Sequence, residues 1–264
     1  MLVAITSTTK ALVTAADAIR ANGPFLCPEC GDRVSLRQGS SNTPHFSHKP
    51  SGRCAFGSGE TEDHRRCKRE IFDSLRRSRN ATDVELERSF GKVRPDVFAR
   101  IDGMPVAIEV QISNLTPKAI ARRTAEYLRL GIYVLWLLQW TPTLNRPDYS
   151  PRRFERWLHA TYYGRVYFWE KGLTVIPYRF EGTEIFVERY RWLDNWGRTH
   201  SAGGYRRPSK RFKHAIRGEA LDMSRDFRAV TRPAWQGPNL SIPEANLFLD
   251  RRRDFLPASD QFHL

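Results

Sequence analysis

Two acids and a glutamine lie close together in the chain and could perform metal-dependent chemistry. Arg94-Pro-Asp96 is followed by Ile108-Glu109-Val-Gln111. Because side chains alternate along a strand, Glu109 and Gln111 should share one face. Two carboxylates in one cleft repel each other unless a cation lies between them, and their oxygens suit Mg²⁺ or Mn²⁺. Asp96 and Glu109 are therefore candidate metal ligands, and Gln111 could orient a water molecule or contact a phosphate.

A second set of polar residues has helical spacing. Glu60, His64 and Lys68 are four residues apart, so a helix reaching back to Glu60 would place them on one face. His64 could act as a general acid or base, contact a phosphate or make a structural hydrogen bond. Lys68 could supply the positive charge that Gln111 lacks. For an isolated helical histidine the structural reading is favoured, and for an Asp and a Glu about a dozen residues apart, taken alone, a surface salt bridge is favoured.

Cysteines and histidines near the N-terminus have the spacing of a zinc site. Cys27-x-x-Cys30 is followed by His45, His48 and Cys54. Tetrahedral zinc takes four ligands, and five candidates are present. We predict Cys27, Cys30, His48 and Cys54 as the ligands, with His45 as the alternative. The role would be structural, since such a zinc supplies on the order of 10 kcal/mol of folding free energy.

The elements around these residues predict an α/β fold. Cys67, Ile71 and Leu75 form an apolar helical stripe, and Asp102-Gly103 predicts a hairpin turn. A buried strand after a crossover helix indicates a mixed sheet covered by helices. The predicted order is αβββαβ: helix 61–79, strands 83–90, 93–101 and 105–112, helix 116–130 and strand 132–138.

Composition divides the chain into four predicted parts. Residues 1–57 form a zinc-binding domain, with a strand at Leu2–Ile5 and a helix-compatible stretch at Ala11–Arg20, and residues 58–145 form the αβββαβ domain. Residues 146–196 are an aromatic-rich α+β extension, whose rings either fill a core or grip nucleic acid, with the core reading favoured. Residues 197–264 form a basic, partly disordered tail.

The overall charge favours a polyanionic partner. The formal net charge is +14 in 264 residues, and no apolar run approaches the roughly 18 residues of a membrane span. We therefore predict DNA as partner, no membrane contact and, without a signal peptide, a cytoplasmic location. Within the run 206–217, four basic residues are candidate contacts to the DNA backbone: Arg206, Arg207, Lys210 and Arg211.

These motifs, in their order, resemble the CoiA-like competence proteins over about residues 2–140. The motifs are Cys27-Pro-x-Cys30, Pro44-His-Phe-Ser-His48, Gly59-Glu-Thr-x-x-His64-x-x-x-Lys68, Arg94-Pro-Asp96-Val97, Ile108-Glu109-Val-Gln111-x-Ser113, Arg123-x-x-x-Tyr127 and Val134-Leu-Trp136-Leu.

The resemblance implies a restriction-endonuclease-like fold of the PD-(D/E)XK superfamily. Asp96 and Glu109 would hold Mg²⁺ or Mn²⁺, Gln111 would replace the usual lysine, and Glu60 would match the acid of the first helix. The residues that would line or support a DNA site are Arg94, Ser113, Arg123 and Tyr127.

The function predicted from these observations is a metal-dependent DNA nuclease acting in DNA processing, uptake, recombination or defence. Recombination or competence proteins would be further partners. Glutamine is uncharged, so a catalytically inactive, zinc-containing DNA-binding adaptor is an alternative. An RNA-processing nuclease would use the same residues and is a second alternative.

Overall fold

The computed structural model begins with a small antiparallel sheet. It describes residues 1–40, 42–49, 54, 56–112, 115–146, 149–209, 211–237 and 240–258. The sheet has the strand order β2-β1-β3-β4-β5, with a short 3₁₀ turn at Arg20–Asn22. Its strands are β1 (Val3–Thr6), β2 (Leu12–Thr14), β3 (Phe25–Leu26), β4 (Arg33–Arg37) and β5 (His45–Ser47).

The helix-compatible reading of Ala11–Arg20 is wrong. Leu12 pairs with Ile5 and Thr14 with Val3, so this stretch returns as the second strand of a hairpin. Lys10 has a φ of 57° at the turn between the strands. Hydrogen bonds to β1 therefore outweigh the weak local helix propensity of this segment.

A long helix, α1 (Glu62–Arg77), follows the small sheet. The Thr61 side chain accepts a hydrogen bond from the His64 backbone nitrogen and caps the helix, as its position predicts. The apolar stripe of α1 is buried, and its Cys67 lies in the core as predicted. One face of α1 therefore rests on the larger sheet, and its first turns point towards the end of that sheet.

The next elements have the predicted order. After α1 come β6 (Ala81–Leu86), β7 (Val97–Ile101), β8 (Met104–Gln111), α2 (Pro117–Arg129) and β9 (Tyr133–Gln139). β6, β7 and β8 are antiparallel neighbours, whereas β8 and β9 run parallel on either side of the crossover helix α2. The chain is thus a mixed α/β protein.

The strand β7 begins four residues later than predicted. Phe90 N donates to Val93 O at 2.9 Å, which closes a turn where a strand from Val93 was expected. Pro95 has no N–H for a sheet ladder. Asp96 therefore lies at the mouth of the hairpin rather than within its strand.

The large sheet continues beyond the predicted core. It has ten strands among the described residues, and its main path runs β16-β11-β10-β9-β8-β7-β6. A second 3₁₀ turn, Pro142–Asn145, precedes α3. The added elements are α3 (Arg153–Thr161), β10 (Val166–Lys171), β11 (Thr174–Glu181), β12 (Glu184–Val187), β13 (Tyr190–Leu193), β14 (Thr199–Ala202), β15 (Tyr205–Pro208), β16 (His214–Arg217), β17 (Leu221–Asp222), β18 (Phe227–Arg232), β19 (Trp235–Gln236), β20 (Ser241–Ile242) and β21 (Ala245–Asp250).

The described residues between 197 and 258 differ from the partly disordered tail that we predicted. β18 and β21 pair over six residues, and β21 also pairs with β9 at Leu247 and Val134. Phe227 and Phe248 are buried and stack with their ring centroids 5.6 Å apart. The strands of this region could not be predicted from local sequence, because they are short apolar runs separated by basic residues. Each strand buries its residues only against partners distant in the chain.

The core consists of two buried clusters. The larger one lies between the ten-stranded sheet and its helices, and the smaller one fills the N-terminal sheet around Phe25 and Phe46. Most rings of the extension lie in the larger cluster, including Trp157, Tyr162 and Tyr167, as the core reading predicted. The four domain boundaries given above stay predictions.

Candidate metal centre and carboxylate cleft

Three thiols and one imidazole come together at one end of the N-terminal sheet. We call Cys27, Cys30, His48 and Cys54 the cysteine cluster, and their ligand atoms lie within 4.8 Å of one another. This is the set that we preferred from the sequence. His45 is outside the group in the described part of the chain, and its Nδ1 lies 2.9 Å from Thr43 O.

Tight turns place these ligands. Cys27 follows β3 directly, and the Gly31 backbone nitrogen donates to Cys27 O at 3.0 Å with Gly31 at a φ of 76°. Cys30 Sγ lies 3.4 Å from Nε2 of His48, which follows β5. Such a donor set fits a tetrahedral zinc ion, so the cluster could hold a structural metal.

Asp96 lies at the mouth of the β7–β8 hairpin and faces α1. Its Oδ2 accepts from the Val110 backbone nitrogen at 2.8 Å and lies 3.1 Å from His64 Nε2. Its Oδ1 lies 3.6 Å from Lys68 Nζ. Burial alone would raise the pKa of Asp96, but Lys68 and His64 together lower it well below its usual range.

Glu109 lies beside Asp96 and faces α2. Val97 pairs with Ile108, so the next residues along the hairpin, Asp96 and Glu109, are neighbours. Both oxygens of Glu109 accept from Arg123 Nη2, at 2.5 and 2.6 Å, and Oε1 also accepts from the Tyr127 hydroxyl at 2.5 Å.

The environment of Glu109 favours its protonated form. Burial raises the pKa of Glu109 to about 7, with Asp96 adding to the rise and Arg123 opposing it. The carboxyl is 1% exposed. Asp96 and Glu109 are neighbours across the hairpin mouth, and Asp96 also accepts from the Val110 nitrogen, so one cation could interact with both carboxyls. A cation at Glu109 would have to share its oxygens with Arg123.

Lys68 is a buried ion-pair centre. Its Nζ contacts Glu60 and lies 2.5 Å from Glu87 Oε1. Burial would lower the pKa of Lys68, but Glu87, Asp96 and Glu60 raise it above its usual value. We call Glu60, Glu87, Asp96 and Glu109, with Lys68 and Arg123, the carboxylate cluster. Four acids face Lys68, Arg123 and the ammonium group of Met1, so internal cations balance most of the negative charge and one acid is in excess when all four are ionised.

Glu60 belongs to the cluster although α1 begins two residues later. Its Oε1 lies 3.7 Å from His64 Nδ1, and its Oε2 accepts from the Met1 nitrogen at 2.7 Å. Burial would raise the pKa of Glu60, but Lys68 lowers it. The three helix-spaced residues thus lie together, as their spacing predicts.

Sequence reasoning missed Glu87. Its Oε2 accepts from the backbone nitrogens of Leu2, at 2.8 Å, and Val3, at 3.2 Å, so it ties the N-terminal sheet to the larger sheet. It follows β6 with a φ of 51° and is 3% exposed. In the sequence it is one of several charges between Glu85 and Arg88, and none of its contacts is local.

The remaining predicted site residues take supporting positions. Gln111 is buried at the end of β8 and pairs with Leu138. Tyr127 is fully buried and donates to Glu109, so it supports that carboxyl from behind the cleft. Arg206 and Arg207 lie on β15, away from the cleft-lining residues, and Arg211 follows β15. Ser113 and Lys210 lie outside the described residues.

Arg94 joins the two clusters. Its Nη2 donates to Glu29 Oε2 at 2.5 Å, and its Nη1 donates to Glu87 O at 2.9 Å. Its guanidinium also lies 4.4 Å from the ring centroid of Phe56. Glu29 belongs to the Cys27–Cys30 turn, so Arg94 fixes that turn against the carboxylate cluster.

Both clusters contribute residues to one cleft of about 760 Å³, although Glu109 is not among the residues that line it. Cys30 and Cys54 form part of its wall, and His64, Asp96 and Arg123 form another part. Among the described residues, no helix is long and apolar enough to cross a membrane.

The fold and the cleft define a mixed α/β protein. A small N-terminal sheet carries the cysteine cluster, and the end of the large sheet that follows it carries the carboxylate cluster. The family model described as competence protein CoiA, N-terminal domain, matches residues 9–57, and that of its nuclease-like domain matches residues 60–163. Competence protein CoiA of Bacillus subtilis (strain 168) is 29% identical over 156 residues, 59% of this chain and 39% of that relative. The chain belongs to the CoiA-like competence protein family, as its motifs predicted.

The shared region is therefore well under half of the curated relative's length. No solved structure matches the chain significantly.

Proposed function

We propose that this protein is a metal-dependent nuclease that hydrolyses DNA phosphodiester bonds during competence-related DNA processing. The observation that carries the proposal is the adjacency of Asp96 and Glu109 at the open end of the β7–β8 hairpin. Asp96 lines the cleft with His64 and Lys68, and Glu109 is linked to the same cleft through its partner Arg123. The matched nuclease-like domain supports the same class of reaction.

We further infer a restriction-endonuclease-like core over residues 62–139. Its αβββαβ order and the parallel β8–β9 pair support this inference. Such a core would place the acid of the hairpin mouth and the acid of β8 on one metal ion. Mg²⁺ or Mn²⁺ bound there would stabilise charge on the phosphoryl oxygens and make a water molecule more acidic.

The chain's own residues would divide the remaining work. Asp96 is held ionised by Lys68, so it is ready to bind a cation. His64 Nε2 lies 3.1 Å from Asp96 Oδ2 and could accept or return a proton at the cleft surface. Arg123 lines the cleft and, once released from Glu109 by a cation, could contact a phosphate.

The cysteine cluster would hold Zn²⁺ and stiffen the cleft wall. Its donor set supports zinc, and Arg94 links its turn to the carboxylate cluster. DNA as the partner is supported by the net charge of +14. A cytoplasmic location stays a prediction.

A specific observation favours one alternative, a catalytically inactive DNA-binding adaptor. Arg123 and Tyr127 occupy the oxygens of Glu109, and Gln111 stands where a charged residue would assist catalysis. Such a protein would bind DNA in a salt-sensitive way and leave it intact with every metal.

The deciding experiment is a cleavage assay with the full chain. Linear, single-stranded and branched DNA, and RNA of the same sequence, are incubated with Mg²⁺ or Mn²⁺. We expect DNA cleavage by the parent and its loss in the near-isosteric variants Asp96→Asn and Glu109→Gln. Asp83→Asn is the matched control, because this acid is 60% exposed and pairs with Arg100 outside the cleft.

Cleavage at the parental rate by both cleft variants would overturn the assignment. Binding without cleavage in the parent would favour the adaptor, and preferential RNA cleavage would favour an RNA-processing nuclease.

A further inference from the structure

A long hairpin extends from the large sheet. β12 pairs with β15, with Val187 opposite Tyr205, and β13 pairs with β14, with Tyr190 opposite Ala202. The register continues through both pairs, so residues 184–208 form one two-stranded arm interrupted at Gly203 and Gly204. We call it the aromatic arm.

The arm has a defined tip and a defined bend. Asp194 Oδ1 accepts from the backbone nitrogens of Trp196 and Arg198, both at 2.9 Å. A side chain at Gly203 would collide with Glu188 O, and both glycines of the interruption have positive φ. Glycine is therefore required where the two halves of the arm meet.

Aromatic rings cover one face of the outer half of the arm. Trp192 is opposite His200, and Tyr190 is two residues from Trp192, so the three share a face. The Tyr190 and Trp192 rings stack at 5.4 Å between centroids, and the Trp192 and His200 rings also stack at 5.4 Å. Trp196 at the tip is 81% exposed.

This exposed surface is also basic. The aromatic arm, residues 184–208, contains five Lys or Arg residues and three Asp or Glu residues. Arg191 and Arg198 are exposed on the outer half of the arm, with Arg191 on the face opposite to the rings. A large exposed apolar patch marks an interaction site. Exposed rings with arginines nearby best match a partner that is anionic and has flat apolar surfaces. Single-stranded nucleic acid is such a partner, because it has unpaired bases on a phosphate backbone.

We propose that the aromatic arm binds single-stranded DNA by stacking unpaired bases on Tyr190, Trp192 and His200, with neighbouring arginines on the phosphates. In a duplex the base faces are already stacked on each other, so the rings would gain no partner there. The choice of DNA over RNA rests on the proposed function, whereas the stacking surface itself does not depend on cleavage.

The test measures binding of the full chain to fluorescently labelled oligo-dT by fluorescence anisotropy. The oligonucleotide has about 15 nucleotides, near the largest number that a single stacking surface of this kind covers. No Mg²⁺ or Mn²⁺ is added. Trp192→Ala should weaken binding about tenfold or more, and Trp192→Phe should weaken it less. Trp235→Ala is the matched control, because Trp235 is 47% exposed on the separate β19–β20 hairpin. It should bind like the parent.

Salt dependence separates stacking from charge. Trp192→Ala should leave the slope of log affinity against log salt unchanged, whereas Arg191→Gln with Arg198→Gln should make it shallower. Thermal unfolding of each variant checks that the core is intact, since these side chains are exposed on the arm.

Parental affinity for oligo-dT in Trp192→Ala would overturn the proposal, as would an equal loss for a blunt duplex. Equal binding of oligo-U, with the same dependence on Trp192, would overturn the DNA assignment. If the protein does not cleave DNA but its binding of oligo-dT depends on Trp192, only the proposed nuclease activity is rejected. If the protein cleaves DNA but its binding of oligo-dT does not depend on Trp192, only the proposed role of the aromatic arm is rejected.

Discussion

The cysteine cluster and the carboxylate cluster both contribute residues to the same cleft but balance their charges differently. In the cysteine cluster, four donor atoms lie within 4.8 Å of one another, so a cation is what allows the thiols to ionise together. In the carboxylate cluster, Lys68 and Arg123 already contact three of the four acids at 2.6 Å or less. The first cluster should need its metal to fold, whereas the second should fold on its own and bind a metal only in competition with its internal cations.

Metal removal should produce the largest difference between the two regions. We expect one zinc per chain, and its loss should remove on the order of 10 kcal/mol from the folding of the N-terminal sheet. Cys54→Ser should lose the zinc in metal analysis, whereas Cys67→Ser, at the cysteine outside the cluster, should retain it. Full zinc content in Cys54→Ser would contradict the assignment of the cysteine cluster as the zinc site.

Removal of Lys68 should produce the next largest effect. Lys68→Met leaves buried acids without their shared cation, so the free energy of unfolding should fall by about 3–5 kcal/mol. Arg66→Met on the same helix is the control, because its pair with Asp63 is exposed and contributes at most about 1 kcal/mol. Urea denaturation measures both, and equal losses would mean that the cluster is not internally neutralised.

The pH dependence should report Glu109. Its carboxyl, with a pKa of about 7, must lose its proton to bind a cation. At subsaturating Mn²⁺ the cleavage rate should therefore fall about tenfold per pH unit below 7 and level off above it. Arg123→Gln removes a charge that lowers this pKa, so its midpoint should move to higher pH. The exposed neighbour variant Arg122→Gln should keep the parental midpoint, and an unchanged midpoint in Arg123→Gln would argue against Glu109 as the titrating group.

The link between the two regions should have the smallest effect. Glu29 is 55% exposed, so its pair with Arg94 should have a coupling energy of about 0.5 kcal/mol. A double-mutant cycle with Glu29→Gln and Arg94→Gln measures it through unfolding free energies. A coupling energy above about 2 kcal/mol would mean that the two clusters act as one unit.

Local patterns were sufficient to predict that the two hairpin acids are neighbours, that Glu60, His64 and Lys68 lie together and which four residues form the cysteine cluster. Strand alternation, helical spacing and the Cys27-x-x-Cys30 turn each involve residues close in sequence. Glu87 and the bridging role of Arg94 depend on partners that are 85 and 65 residues away, so no local signal marks them. The strands after residue 197 were missed for the same reason.

The central claim is that Asp96 and Glu109 hold one divalent cation between them. Binding of Mn²⁺ to the zinc-loaded full chain at pH 8, followed by the electron paramagnetic resonance signal of free Mn²⁺, tests it directly. We expect one Mn²⁺ site in the parent and in Asp83→Asn, and its loss in both Asp96→Asn and Glu109→Gln. An undiminished Mn²⁺ site in either cleft variant would contradict the claim.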